Sequence, residues 1–400
     1  MIVKFSFQNF RSYKDETSLD FQAAPLPEFE DNLIRRDNVS DLLPVSVVYG
    51  PNGGGKSNLL MALAYLISVV TSPIYRLEKN RGDVFQHFLL ESKPFLFDEK
   101  ASRSPSIFDL FFRTEKNEFH YYISIQDDLI IDECLYRKSF SGKKTAMIFE
   151  RNKNEIELGA SIRAKSINTQ INPKMPYLSF LAINYNIEVI AEVQKWFESC
   201  VIRNYANSQA ERRILLPEDE QSQKRLVGIM NEMDIRISSF RMDEENNHLY
   251  LNRVINDKEY ELEFKDESAG TKKMFALMPL IIYAIGKGGL VILDELDAKL
   301  HPKLLRYIIS QFKNPKINRN GAQLLFTSHD LTTMNHNVFR RDEIWFAATN
   351  DKRESEIYSL YDFRTEDGNH VNQTASFSKQ YLEGRYGADP YLKNMLEWEV

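Results

Sequence analysis

The stretch Gly50-Pro51-Asn52-Gly53-Gly54-Gly55-Lys56-Ser57 carries the densest chemistry in the chain. It matches G-x-x-x-x-G-K-[ST] in the required context: the β-branched run Val45-Ser46-Val47-Val48-Tyr49 before it and an apolar helical segment after it. Glycines allow successive backbone N–H groups to turn toward phosphate oxygens. The N-terminus of the following helix adds the positive end of its dipole. In this pattern Lys56 reaches the terminal phosphates and Ser57 offers its hydroxyl oxygen to Mg²⁺. Gly50, Asn52, Gly53, Gly54, Gly55, Lys56, Ser57 and Asn58 are therefore the expected nucleotide-binding residues. A second constellation is Leu290-Val291-Ile292-Leu293-Asp294-Glu295, four apolar residues running into two carboxylates. The apolar part suits a parallel strand buried on both faces, and Asp294 falls at its C-terminal end, where ligands bind in open α/β sheets. There Asp294 is expected to help hold Mg²⁺ through the ion's water shell. Glu295 is placed to orient or deprotonate an attacking water.

Three further segments carry weaker signals. Glu267-Ser268-Ala269-Gly270-Thr271-Lys272-Lys273 opens an apolar helix, and Ser268 is a good N-cap, which leaves the helix N-terminus able to face an anion. Ser268 precedes Asp294 by 26 residues. In Leu324-Leu325-Phe326-Thr327-Ser328-His329 a strand delivers a histidine, 34 residues after Glu295. Leu296-Asp297 follows Glu295 directly, and His301-Pro302 begins the next helix with proline in its tolerated first-turn place.

The elements that must position these residues are legible in outline. Val3, Phe5 and Phe7 alternate with polar residues, as does Thr17 to Phe21, giving two opening strands around Asn9-Phe10-Arg11-Ser12-Tyr13. A polar loop spans about 25–41, and a helix runs from about Lys56 to Val70. Residues 105–150 read as antiparallel strands, with 107–112, 120–125 and 147–149 the clearest, while 150–174 is polar and hard to place. Two helices are expected at about 177–205 and 218–233, then strands including 248–251 and 259–264. The last block holds a helix at 269–285, a strand at 290–293, a helix at 302–312 and strands at 324–327 and 344–347.

Composition bounds the function classes. The 400 residues are 43% hydrophobic and 27% charged, ordinary for a globular protein with a sizeable core. Lys and Arg number 51 against 57 acidic residues, a net charge of −6, which is not the footprint of a generic nucleic-acid binder. The basic pairs Arg35-Arg36, Lys143-Lys144, Arg212-Arg213 and Arg340-Arg341 leave a local DNA or RNA contact open beside the reading as solvated surface. Two cysteines without metal-type spacing, Cys134 and Cys200, are expected to be buried thiols in a reducing compartment. No apolar run reaches the ~18 residues of a membrane span, and the alternating N-terminus is no signal peptide. A cytoplasmic protein is expected. Sustained heptads, and with them a long coiled-coil arm, are absent from the sequence.

Taken together, the motifs resemble the SMC and RecF-like branch of ABC ATPases. Glu267–Lys273 resembles the ABC signature loop, with Glu267 where transporters have leucine; Asp297 resembles the D-loop residue, and His329 the switch histidine. More narrowly, Asn9–Tyr13, Glu267–Thr271, Arg341–Phe346 and Gly384-Arg385-Tyr386-Gly387-Ala388 resemble the RloA/AbiLi type of stand-alone ATPase of bacterial phage defence (abortive infection), related to the ATPase part of OLD proteins. The resemblance implies an α/β fold: a P-loop NTPase of ABC-ATPase head type, with a mixed central sheet, an antiparallel β lobe and an inserted helical region. The expected boundaries are 1–175, 176–235 and 236–400. It implies a homodimer or higher homo-oligomer in which two heads sandwich ATP and Mg²⁺. Lys56, Ser57, Asp294, catalytic Glu295 and His329 would come from one chain, and Ser268 and Gly270 from the other. It further implies a nucleotide contact for Arg11, for which a solvated surface position is the competing reading. A glutamine reaching Mg²⁺ is also implied. Gln86 is the candidate, although Val84–Phe88 reads equally as a buried strand. Only 71 residues follow His329 and they hold no D-x-D, so an intrinsic nuclease is not expected. The implied role is ATP-driven control of a separately encoded nuclease or toxin, with a phage-derived trigger; a RecF-like DNA-binding ATPase is the alternative.

Overall fold

The computed structural model describes residues 1–73, 92–163, 166–204, 216–217, 219–243, 245–246, 248–365 and 368–388. Its centre is a six-stranded sheet ordered β16-β15-β3-β14-β13-β9. The strands are β3 (Val45–Tyr49), β9 (Val201–Asn204), β13 (Leu290–Asp294), β14 (Gln323–Thr327), β15 (Ile344–Thr349) and β16 (Ser355–Ser359). All pairings are parallel except β15 with β16. β3, β13 and β14 are buried at every position, as expected of parallel strands covered on both faces. The period of two assigns their side chains to two cores: Val48, Leu290 and Ile292 to one, and Val45, Val47, Tyr49, Val291 and Leu293 to the other.

The first core is closed by a seven-stranded antiparallel sheet ordered β2-β1-β4-β5-β6-β7-β8. It comprises β1 (Ile2–Gln8), β2 (Thr17–Asp20), β4 (Ser106–Arg113), β5 (Asn117–Gln126), β6 (Leu129–Ser139), β7 (Thr145–Asn152) and β8 (Glu155–Leu158). Helix α1 (Lys56–Thr71) lies between the two sheets. That position explains why it is apolar nearly all round, a pattern that fits burial rather than a surface helix. Helices α2 (Tyr177–Asn184) and α3 (Glu188–Glu198) pack on α1. The second core is closed by α4 (Glu220–Glu232), α5 (Ala269–Lys287), α6 (Pro302–Lys313) and α7 (Phe377–Leu382), together with a three-stranded sheet of β10 (Ser239–Asp243), β11 (His248–Ile255) and β12 (Lys258–Glu263).

Two differences from the sequence reading have physical causes. The helix expected at 177–205 is two helices followed by β9, which runs parallel to β13 and completes the central sheet. Four residues, Val201-Ile202-Arg203-Asn204, are too short a run to announce a strand without their partner. The antiparallel sheet is also larger than expected, because β6 and β8 interleave charged and apolar residues and are fixed by cross-strand pairing. No helix among the described residues is long and apolar enough to cross a membrane.

Candidate functional site

The glycine loop leaves the C-terminal end of β3 between β14 and β15. Gly50, Gly53 and Gly55 have φ of +147°, +80° and +105°, a region open to glycine but strained for other residues. A Cβ on Gly50 would lie 2.1 Å from the Ala347 carbonyl oxygen, and one on Gly55 2.5 Å from Ser355 Oγ. The β15–β16 hairpin thus forms one wall of the loop, and Thr349 Oγ1 donates to the Gly53 carbonyl (3.0 Å). Asn52 is exposed at the loop's tip, whereas Lys56 is buried. Lys56 Nζ donates to the carbonyls of Gly50 (2.8 Å) and Pro51 (3.0 Å). Desolvation pulls the Lys56 pKa below its usual value, while Asp294, Glu295 and Asp297 act to raise it.

Those carboxylates stand at the end of β13. Thr327, at the end of neighbouring β14, donates from Oγ1 to Asp294 Oδ1 (2.6 Å) and accepts the Glu295 N–H (2.8 Å). Glu295 itself has φ +53°, a left-handed backbone on a non-glycine residue, of the kind that clusters at functional sites. Asp297 Oδ2 accepts the backbone N–H of His329 (3.0 Å), tying the segment after Glu295 to the histidine loop. The His329 ring is exposed, yet its pKa is lowered, first by partial desolvation and then by Lys56, against the opposing pull of Asp297, Glu295 and Asp294. The fold therefore brings Lys56, Asp294, Glu295, Asp297 and His329 into one electrostatic neighbourhood at the C-terminal edge of the parallel strands.

The opening turn docks on the same site. Tyr13 Oη donates to the Gly55 carbonyl (3.2 Å), and Asn58 Nδ2 donates to Ser12 Oγ (2.8 Å). Ser355 donates to Ser12 through both its N–H (to the carbonyl, 2.8 Å) and its Oγ (to Oγ, 2.8 Å). Arg11, at φ +54°, is half-buried with its guanidinium 5.6 Å from the Phe10 ring centroid. It is therefore anchored beside the loop, one residue from Ser12. Asn58, expected to touch nucleotide, here ties the turn to α1.

Ser268 caps α5 by accepting the Thr271 N–H (3.1 Å) and is exposed. Glu267 is buried and ion-paired with Arg253 (2.6 Å). A Cβ on Gly270 would lie 3.2 Å from the Lys299 carbonyl oxygen, so the start of α5 abuts the end of the segment that carries Asp297. Gln86 lies outside the described residues. Thr327 and Lys273 escaped the sequence reading. Thr327 had a legible signal, a hydroxyl at the end of an apolar strand, whereas nothing in the sequence marks Lys273 as buried.

Ser57 and Asp294 supply hard oxygen donors of the kind Mg²⁺ takes. Among the described residues no group of three or more His, Cys, Asp or Glu is arranged to hold a metal. An ion here would complete its shell with phosphate and water. The basic pairs are partly committed elsewhere. Arg35 pairs with Glu30 (3.2 Å) and Asp41 (3.4 Å). Buried Arg340 pairs with Asp342 (2.8 Å), and Arg341 pairs with Glu28 (2.7 Å). Lys143 and Lys144 are exposed, and Arg212-Arg213 lies outside the described residues.

A family model described as "AAA domain, putative AbiEii toxin, Type IV TA system" matches residues 45–335, well over half of the chain. No curated protein matches. Among solved structures, the SMC head domain from Thermotoga maritima is similar at 13% identity and a TM-score of 0.44, with 90% of this chain and 98% of that chain covered. An SMC head bound to the C-terminal winged-helix domain of ScpA is similar at 12% identity and a TM-score of 0.42, covering 90% of this chain and 97% of that one.

Proposed function

This chain belongs to that AAA domain family, and from that premise we propose that it is an ABC-type ATPase hydrolysing ATP with Mg²⁺ between two heads to control a separately encoded effector in bacterial phage defence. The observation that carries the ATPase reading is the convergence of the glycine loop, buried Lys56, Asp294 and left-handed Glu295 at one edge of the sheet. Backbone N–H groups of the loop and Lys56 would bind the phosphates. Ser57 and Asp294 would hold Mg²⁺, which supplies charge neutralisation when bound. The Glu295 carboxylate would orient the attacking water and take its proton. His329, exposed and held through its backbone N–H by Asp297, would reach the γ-phosphate. Ser268 is exposed at the start of α5, which suits contribution to a second head's site. Arg11 would approach the nucleotide from its anchored turn. The family description's toxin–antitoxin setting supports the defence role, and the nuclease or toxin it would control is encoded apart.

The test is the solution mass of Glu295→Gln protein with and without ATP and Mg²⁺, alone and with the product of the neighbouring gene. A variant that binds ATP, does not turn it over, doubles in mass and retains the partner fits the proposal. Normal hydrolysis by Glu295→Gln would remove Glu295 from the mechanism. An ATP-dependent dimer that ignores the partner and retains DNA would point to a RecF-like role.

A further inference from the structure

Lys273 lies in the second turn of α5 and is fully buried, at 0% exposure. Its Nζ donates to the backbone carbonyls of Glu295 (2.9 Å), Leu296 (2.8 Å) and Ala298 (2.8 Å). Three acceptors require three N–H donors, so the group is the ammonium and not the amine. Burying such a charge is tolerated only when its hydrogen bonds are met. All three acceptors belong to one short segment directly after β13. That segment begins and ends on left-handed residues that are not glycine, Glu295 (φ +53°) and Lys299 (φ +62°). Its carbonyls turn inward onto the ammonium, while the Glu295 N–H is held from the other side by Thr327 Oγ1 (2.8 Å).

We infer that Lys273 is a positioning residue: by gripping these carbonyls it sets the backbone, and with it the carboxylate direction, of Glu295. Both peptide groups flanking the Glu295 Cα are thereby fixed, one by Thr327 and one by Lys273. The same side chain ties the start of α5, where Ser268 is exposed and Gly270 touches Lys299, to the segment bearing Glu295 and Asp297. A displacement of the exposed helix start by a second head would be carried to Glu295 by this ammonium. The inference rests on the reading of Glu295 as the water-orienting carboxylate.

The test compares ATP turnover and ATP affinity in wild type, Lys273→Met, Lys273→Gln, Glu295→Gln and the Lys273→Met/Glu295→Gln double variant. Misplacing a reacting group by about 1 Å costs on the order of 10²-fold in rate. Lys273→Met should therefore lose about that much kcat with unchanged ATP affinity. Lys273→Gln, which keeps two N–H donors, should recover part of it. The double variant should be no slower than Glu295→Gln alone, because the lysine acts through that carboxylate. Unchanged kcat in folded Lys273→Met overturns the inference. So does a parallel loss of affinity and rate, or a double variant slower than either single one. Where Lys273→Met fails to fold, Lys273→Gln carries the same readings: kcat reduced with affinity intact supports positioning, and kcat unchanged overturns it. A fully active Glu295→Gln strikes instead at the assignment of Glu295, and that failure is visible whatever Lys273→Met does.

Discussion

Single side chains in this protein are governed by what burial does to their charge. Burial lowers the Lys56 pKa against the opposing pull of three carboxylates, and it raises both thiols against weaker opposing contacts, the Tyr122 backbone for Cys134 and the Met1 ammonium and Leu290 backbone for Cys200. Burial pushes the Cys134 thiol up to about 12, helped by the Glu150 and Asp109 carboxylates, and burial alone pushes Cys200 to about 12. Both are free and half-buried. Since the thiolate is the reactive species, the thiolate fraction at pH 8 is roughly one part in ten thousand. Folded protein should therefore label with a thiol reagent orders of magnitude more slowly than unfolded protein, in which both cysteines should label fully. Rapid labelling of either site in the folded state would contradict the burial of that thiol.

Among elements, the β15–β16 hairpin is as much part of the nucleotide loop as α1 is. The loop's glycines answer to different constraints. Gly50 faces the Ala347 backbone at 2.1 Å from a hypothetical Cβ, while Gly53 has nothing within 4 Å and is constrained only by its φ of +80°. Gly53→Ala should therefore cost about 1–2 kcal/mol from the left-handed backbone alone. Gly50→Ala must also displace a strand of the central sheet and should lower the melting temperature further and abolish ATP binding. Equal melting temperatures for the two variants would deny the hairpin that role. The closing residues support the same hairpin. Tyr386 is buried against Phe346 with ring centroids 5.0 Å apart, and the Tyr386 carbonyl accepts the Tyr358 hydroxyl. The Gly384–Ala388 motif thus packs on β15 and β16 rather than reaching the site itself.

For the whole molecule, the decisive matter is whether the glycine loop and exposed Ser268 serve the same nucleotide from two different chains. Lys56→Ala disables the first and Ser268→Arg blocks the second. If two heads share each nucleotide, either variant alone should be inactive. A mixed dimer would nevertheless contain one site with an intact loop and an intact signature. Mixing the two proteins should then restore part of the ATPase activity, as expected of an isologous pair that exchanges the same patches. A mixture as inactive as its components, with mixed dimers demonstrably formed, would exclude a shared site.

Three pieces of local backbone were legible in the residues alone: the loop from Gly50 to Ser57, the apolar strand ending at Asp294 and Glu295, and the capped helix at Ser268. Each is encoded by residue type at fixed spacing along a continuous stretch, and the boundaries of α1, α5, α6, β13 and β14 fell within about two residues of the pattern. Tertiary structure alone decided the remainder. β9 is a strand because β13 offers it a partner; Thr327 bridges two carboxylate-bearing residues because β14 lies beside β13. Lys273 became a clamp because α5 packs over the segment after Glu295. In sequence Lys273 is one of two adjacent lysines at the start of a helix. Which of them is buried depends on the helix's rotation against a surface 22 residues away, and local residue patterns do not encode that contact.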